Sequence, residues 1–300
     1  MPSPARDQWA EWLLERRDGG DPELKRAFLD FIAPVRDQVL DNADLSDGEI
    51  LLDVGAGDGL IAFRAVELVG ADGRVIFGDV SQYLLDHSRA LAEDMGVLDR
   101  CEFLLAPADD LSALEERSVD AVTTRSVLIY VEDKRRAFEE FYRVLKPGGR
   151  LSVFEPISSF THPEPPHLFR GFDMTSVRDL LRKVRAVYER IQPYATDPML
   201  NFDERDLLNL ADEAGFEEIY LNYEAEIVSG KPFWGIREWE ALLKSSGNPK
   251  IPTLGEAMTE ALTPEETERF TEHLRPLVEN ARRKGRSAVV YLQAIKDRES

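Results

Sequence analysis

The stretch Ile50 to Phe63, ILLDVGAGDGLIAF, constrains this chain more than any other. An apolar run ends in an aspartate, three glycines alternate with other residues, and a second apolar run begins. The first run is short and bounded by polar and glycine residues, which predicts a buried strand. LIAFRAVELVG predicts a helix with Ile61, Ala65, Val66 and Val69 near one face. The glycines let the backbone turn sharply, and they remove the Cβ atoms that would hold a ligand off. Such a strand-loop-helix junction is where open α/β sheets bind ligands.

The same rhythm runs on to about residue 155. RVIFGDV, CEFLLAPA, VDAVTTRSV and RLSVFEP read as further strands. Between them, SQYLLDHSRALAEDMG reads as a helix capped by Ser81, with Leu84, Leu85, Leu91 and Met95 spaced for burial. KRRAFEEFYRVLKPGG reads as a helix with Phe138, Phe141, Val144 and Leu145 inward, stopped by Pro147 and Gly148. Strands separated by helices predict a parallel, doubly wound sheet with right-handed crossovers.

After Pro156 the rhythm breaks. ISSFTHPEPPHLFRGFD reads as a long irregular loop and TSVRDLLRKVRAVYERI as an amphipathic helix. DERDLLNLADEAGF, with Asp203 as cap and Gly215 as stop, and the strand EEIYLNYEAEIV restore the core pattern. A second excursion holds TPEETERFTEHLRPLVENARRKG, where Thr263 and Glu266 have capping-box spacing, Pro264 stands at the first helical position and Pro276 predicts a kink. SAVVYLQAI is the last strand.

Composition narrows the function. Lysine and arginine total 37 against 57 acidic residues, a formal charge of −20. A surface this acidic repels phosphate backbones and anionic membranes, so neither nucleic acid nor membrane is expected as a partner. One cysteine, Cys101, excludes an intrachain disulfide framework, and the four histidines lack the H-x-x-x-H spacing of a zinc site. No apolar run is long enough for a transmembrane helix and the first residues lack a signal-peptide core, so a cytoplasmic location is expected.

The glycine spacing is G-x-G-x-G, not the dinucleotide G-x-G-x-x-G. Asp53 and Asp58 flank the loop; they repel a pyrophosphate and suit an ammonium group. Asp79 closes the second strand 22 residues after Gly57, where an acid accepts hydrogen bonds from both ribose hydroxyls.

Together LLDVGAGDG, GDVS, DAVTTRSVLIYV and FYRVLKPGGRLSVFEP resemble the successive motifs of the class I S-adenosylmethionine-dependent methyltransferases. The resemblance is continuous over about residues 50–155 and returns in the helix ending at Gly215 and the last two strands. It implies an α/β, doubly wound, seven-stranded, mostly parallel sheet with an antiparallel last strand. A helical N-terminal segment and two helical cap insertions would be added to it. The expected division is an N-terminal helical lid (1–47), the cofactor-binding core (48–156), a first cap insertion (157–202), a core helix and strand (203–228), a second cap insertion (229–286) and the final strand (287–300).

The resemblance also implies roles. Gly55, Ala56 and Gly57 would pass under S-adenosylmethionine, whose methionine end supplies the ammonium for Asp53. Asp79 would hold the ribose and Val80 would pack on the adenine. Asp109 would meet the adenine amino group and Ala108 the ring edge. Where many members have Gly-Asp-Ala, this chain has Ala106-Pro107-Ala108, which moves the adenine contact towards Asp109 or backbone. Arg125 replaces a small polar residue; it would contact the cofactor carboxylate, an acidic substrate, or a partner acid such as Asp53. The plainer readings are that Gly59 serves helix–strand packing and that Asp58 stabilises a helix N-terminus.

No catalytic residue is named. Methyl transfer leaves a neutral thioether, so positioning and exclusion of water supply much of the rate. A base is required only for a protonated acceptor of high pKa. His162 and His167, after the fifth strand, are the base candidates, and the plainer account makes them loop histidines. Trp9 and Trp12 form either a docked helix or a lid facing the sulfonium. The insertion aromatics, among them Phe169, Phe172, Phe233 and Trp239, suit an apolar or aromatic acceptor and equally a cap with its own core. The expected activity is methyl transfer to a small-molecule O, N or C acceptor with release of S-adenosylhomocysteine. A peptide or protein methyltransferase, a nucleotide-binding oxidoreductase and a silent cofactor-binding protein are the alternatives.

Overall fold

The computed structural model describes residues 6–299. Residues 1–5 of the expected lid segment, and Ser300, lie outside them. Among the described residues nine strands form: β1 (Ile50–Val54), β2 (Arg74–Asp79), β3 (Cys101–Leu105), β4 (Val119–Arg125), β5 (Leu145–Pro156), β6 (Leu168–Phe169), β7 (Phe172–Asp173), β8 (Glu218–Ser229) and β9 (Lys284–Ile295). Seven make one sheet in the order β3-β2-β1-β4-β5-β9-β8. β1 to β5 are parallel, and β9 runs antiparallel between β5 and β8. The order reverses beside β1 and β4, so a crevice opens at their carboxyl ends.

The helices are α1 (Gln8–Glu11), α2 (Pro22–Ala43), α3 (Ala62–Leu68), α4 (Gln82–Asp94), α5 (Lys134–Val144), α6 (Arg178–Ile191), α7 (Glu204–Ala214), α8 (Trp239–Lys244), α9 (Leu254–Ala261) and α10 (Pro264–Glu279). α1 passes directly into a π-helical turn, Trp12–Arg16. Phe138 and Phe141 of α5, with Leu207 and Ala211 of α7, cover one face of the sheet. Val39 and Leu40 of α2, Ala65 and Val66 of α3 and Leu85 of α4 cover the other. Among the described residues no helix is long and apolar enough to cross a membrane, and no group of three or more His, Cys, Asp or Glu could hold a metal ion.

Three local expectations need correction. Met95 is exposed, because α4 ends at Asp94 and Ser88 and Ala92 take the buried positions instead. α5 stops at Val144, so Leu145 is buried as the first residue of β5 and not as a helix residue. The segment after Pro156 is not wholly irregular: it forms a 3-10 turn at Ser158–Phe160 and the β6–β7 hairpin. At α10 the capping box of Thr263 and Glu266 forms, and the helix runs three residues past Pro276.

The two insertions share one hydrophobic cluster. Leu180, Leu181 and Val184 of α6 pack with Trp239 and Leu242 of α8, Leu254 and Met258 of α9, and Phe270 and Leu274 of α10. Phe169 and Phe172 belong to it as well, so these aromatics are buried in a second hydrophobic core. Leu24 of α2 joins the same cluster and links the cap to the N-terminal helices.

Candidate active site

The glycine loop leaves β1 with positive φ at Gly55 (70°), Gly57 (59°) and Gly59 (83°), a region where a Cβ is strained. The missing Cβ atoms face different things. One on Gly55 would stand 2.2 Å from Val127 Cγ2, and one on Gly59 would stand 2.4 Å from the Phe63 ring. Both glycines therefore serve internal packing. Only at Gly57 does the space face the N-terminal segment, where Leu13 Cδ2 lies 3.1 Å from the Cβ position.

Two aspartates frame this loop. Both oxygens of Asp79 accept backbone hydrogen bonds, from Gly57 N–H (2.8 Å) and Ser81 N–H (2.8 Å). Each carboxylate oxygen has two lone pairs, so acceptor capacity for a ribose diol remains. Burial raises the Asp79 pKa against the pull of those amides. Asp53 is buried at the end of β1, where Oδ1 accepts from the Thr123 hydroxyl at 2.8 Å. Burial pushes its pKa up to about 7, against the opposing effects of Thr123, Arg125 and the Ala62 amide. A buried carboxyl of this kind is matched to a cation.

On the adenine side, Val80 is 50% exposed beside the buried Asp79. Leu105 pairs with Asp79 in the register of β2 and β3, which brings the following turn, with buried Ala108 and half-buried Asp109, alongside. Gly55 and Ala56 both donate to the Gly78 carbonyl, which holds the loop against β2. A buried acid with acceptor capacity left over, beside an exposed valine, has the chemistry to take a ribose and an adenine as in S-adenosylmethionine.

At the other side of the crevice, Arg125 ends β4. The positive charge is disfavoured by burial, which lowers the pKa, and is supported by Asp58 first, then Asp53 and Glu155. Arg125 pairs with Phe154 through the β4–β5 ladder, but among the described residues its side chain makes no hydrogen bond and no acid lies within 4.0 Å of its guanidinium; the expected pairing with Asp53 is electrostatic and not a contact. Glu155, at the end of β5, accepts from the backbone N–H of Val127 and Leu128 (2.8 Å each) and Ile129 (3.3 Å). Burial raises its pKa to about 7. These bonds fix the turn that carries Tyr130. A carboxyl at the end of a central strand was the signal in the sequence for Glu155; Thr123 and Tyr130 carried none.

The N-terminal segment contacts the residues after β2 and after β4. The Asp7 carboxylate caps α1 and accepts from the Ser81 hydroxyl at 2.6 Å, next to Asp79. The Trp9 and Tyr130 rings meet edge to face at 4.9 Å. Trp12 donates through Nε1 to the Ser246 carbonyl of the second insertion (2.9 Å), and Ser246 N–H donates to the Arg16 carbonyl (2.9 Å). Trp9 therefore lies against the crevice, while Trp12 ties the segment to the cap. His162 and His167 are elsewhere. His162 contacts Thr161 and Tyr194, His167 lies near Asp173, and neither bonds to a residue around Asp53, Asp79 or Arg125.

Comparison with known proteins matches residues 33–231 to the model of the ubiE/COQ5 methyltransferase family. The chain is 30% identical over 194 residues to the ubiquinone/menaquinone biosynthesis C-methyltransferase UbiE of Escherichia coli O1:K1, covering 63% of this chain and 75% of that protein. It is 32% identical over 186 residues to UbiE of Marinomonas sp. MWYL1, covering 61% and 72%. The fold matches a solved Bacillus halodurans C-125 structure (TM-score 0.53, 20% identity, 87% of this chain and 98% of that one). It also matches the [4+2]-cyclase SpnF (TM-score 0.52, 20% identity, 88% and 81%). Because the fold alone carries more than one reaction, the family match decides. The chain belongs to the ubiE/COQ5 methyltransferase family and is an S-adenosylmethionine-dependent methyltransferase.

Proposed function

We propose that this enzyme methylates a ring carbon of a small quinol-type aromatic, held between the crevice and the cap. The observation that carries the reading is the 30% identity to proteins that perform C-methylation in ubiquinone and menaquinone biosynthesis. The aromatic pair of Trp9 and Tyr130 beside Arg125 supports it, since a flat electron-rich ring stacks on such surfaces.

In this reading Gly55, Ala56 and Gly57 run beneath the cofactor and Asp53 faces its ammonium. Asp79 holds the ribose diol, Val80 packs on the adenine, and Ala108 with Asp109 lines the adenine edge. Arg125 faces a carboxylate. When bound, S-adenosylmethionine would supply an electrophilic methyl on a sulfonium and leave as a neutral thioether, and the proton displaced from the ring carbon would pass to solvent as the ring regains its aromaticity. The chain's own contribution is orientation and dryness: Glu155 fixes the turn that positions Tyr130, and the N-terminal segment excludes water. His162 and His167 have no role. We place the enzyme in the cytoplasm.

Incubation with S-adenosylmethionine and a chemically reduced demethylated naphthoquinone tests this reading. The expected product carries its new methyl on carbon and resists ether cleavage. Transfer to hydroxyl or amine acceptors alone would overturn it. The ribose assignment has its own test. Asp79→Ala should weaken S-adenosylhomocysteine binding by more than about tenfold in calorimetry, as the loss of charge-assisted hydrogen bonds predicts.

A further inference from the structure

β8 is the outermost strand of the sheet, and among the described residues it pairs with β9 alone. The opposite edge of β9 is bonded nearly throughout. Val289 to Ile295 pair with β5, the Ala288 carbonyl accepts from Ile157 N–H, and Lys284 N–H donates to the Gly171 carbonyl. The outer edge of β8 has no such neighbour along its 12 residues. Past Val289 there is no β5 alongside, so Ala225–Ser229 lie on a two-stranded ribbon, a unit of little stability by itself.

The ladder shows which groups point outward. Gly230 N–H donates to the Arg283 carbonyl at 3.1 Å, continuing the β8–β9 register. On the other side of β9, Lys296 N–H and the Ala288 carbonyl bond towards β5. Odd-numbered residues of β9 therefore bond to even-numbered residues of β8. The odd-numbered residues of β8 turn their N–H and C=O groups to the open edge. Their side chains, Ile219, Leu221, Tyr223, Ala225 and Ile227, share one face. Ile219 and Leu221 pack against the cluster that holds Leu207 and Ala211 of α7. Tyr223 and Ile227 are 37% and 51% exposed.

A bare edge of this length pairs readily with another strand, and the sequence of β8 fits a second copy of itself. Place an antiparallel copy about a twofold axis at Tyr223. Ile219 then opposes Ile227, Leu221 opposes Ala225 and Tyr223 opposes its own counterpart, so every outward-bonding residue is apolar. Each exposed Ile227 comes to lie beside a partly buried Ile219. On the other face Glu224 opposes Asn222, Glu226 opposes Tyr220 and Glu218 opposes Val228, so no carboxylate opposes another. Shifting the axis by one residue loses this. At Glu224 that acid opposes itself, and at Asn222 Glu218 opposes Glu226. Like charges directly opposite destabilise a strand pair.

We propose that β8 is a dimerisation edge, through which two copies of this chain pair antiparallel about Tyr223 and join their sheets. The contact is isologous and closes on itself, as a twofold interface must. Each copy carries a formal charge of −20, so the association works against long-range repulsion and is favoured by salt.

Sedimentation and cysteine crosslinking test the pairing. Tyr223→Cys, in a Cys101→Ser background, puts two thiols on the axis. Their Cα atoms would stand about 5.5 Å apart, as in a bonded antiparallel pair and within the reach of a disulfide. Ala225→Cys opposes Leu221 and lies well away from its own counterpart. The expected result is a wild-type dimer that strengthens between about 0.1 M and about 1 M salt. Mild oxidation should link Tyr223→Cys covalently and leave Ala225→Cys unlinked. Ile227→Lys should weaken the dimer at least about tenfold and leave S-adenosylhomocysteine affinity unchanged. A wild type that stays monomeric at about 0.1 mM would overturn the proposal. So would a dimer in which Tyr223→Cys fails to link, or in which Ala225→Cys links equally well, since the interface would then lie elsewhere or in another register.

Discussion

Asp53 carries a conflict between folding and binding. Burial holds its pKa up to about 7, near neutrality, although Thr123 and Arg125 pull it down. A carboxyl whose pKa is higher folded than unfolded binds its proton more tightly in the fold. It stabilises fully below the unfolded pKa, near 4, and that stability is lost as pH rises through about 7. Asp53→Asn, which cannot ionise, should therefore unfold a few degrees above wild type at about pH 8.5, with the gap closing towards about pH 5.5. The same substitution should weaken S-adenosylhomocysteine binding about tenfold. Wild-type affinity should rise with pH through 7 while the variant's stays flat, because an ammonium favours the ionised form. A thermal melt and a calorimetric pH series check both halves. A variant less stable than wild type at high pH would contradict the argument.

At the level of elements, the apolar runs and their caps were legible because they are local. β1 to β5, Ser81, Asp203 with Gly215, and the Thr263 capping box each depend on residues a few positions apart. The acid closing β2 was legible for the same reason, since its spacing from Gly57 follows from one strand-loop-helix unit. What was not legible depends on contacts between distant segments. Trp12 bonds to Ser246, 234 residues away, and nothing near either residue announces it. Arg17 reads as one more charge in QWAEWLLERR until the Phe28 ring centre folds to 4.4 Å from its guanidinium. The aromatics of the insertions could have lined a pocket or filled a core, and their spacing alone did not choose. Phe270 shows the outcome: it is fully buried between α10 and its cap neighbours. Phe270→Ala should cost about 3–5 kcal/mol in chemical denaturation, and a value near zero would mean that the cap collapses without strain.

For the whole molecule, cofactor binding should register as global stability, because the crevice is built from β1, β2, β4 and the N-terminal segment at once. S-adenosylhomocysteine at about a hundred times its dissociation constant should add about 2.7 kcal/mol. NAD should add nothing, and a thermal shift with both compounds reads this directly. The order of the sheet has a consequence for synthesis. β9 is made after the other eight described strands, yet it lies inside the sheet and pairs with β5 from Arg150 to Pro156 and with β8 along its length. Until Lys284–Ile295 has left the ribosome, β5 and β8 each present an unpaired edge, the kind of surface on which nascent chains associate wrongly. A chain stalled or clipped before β9 would thus carry every residue assigned to the cofactor and still be a substrate for chaperones rather than an enzyme.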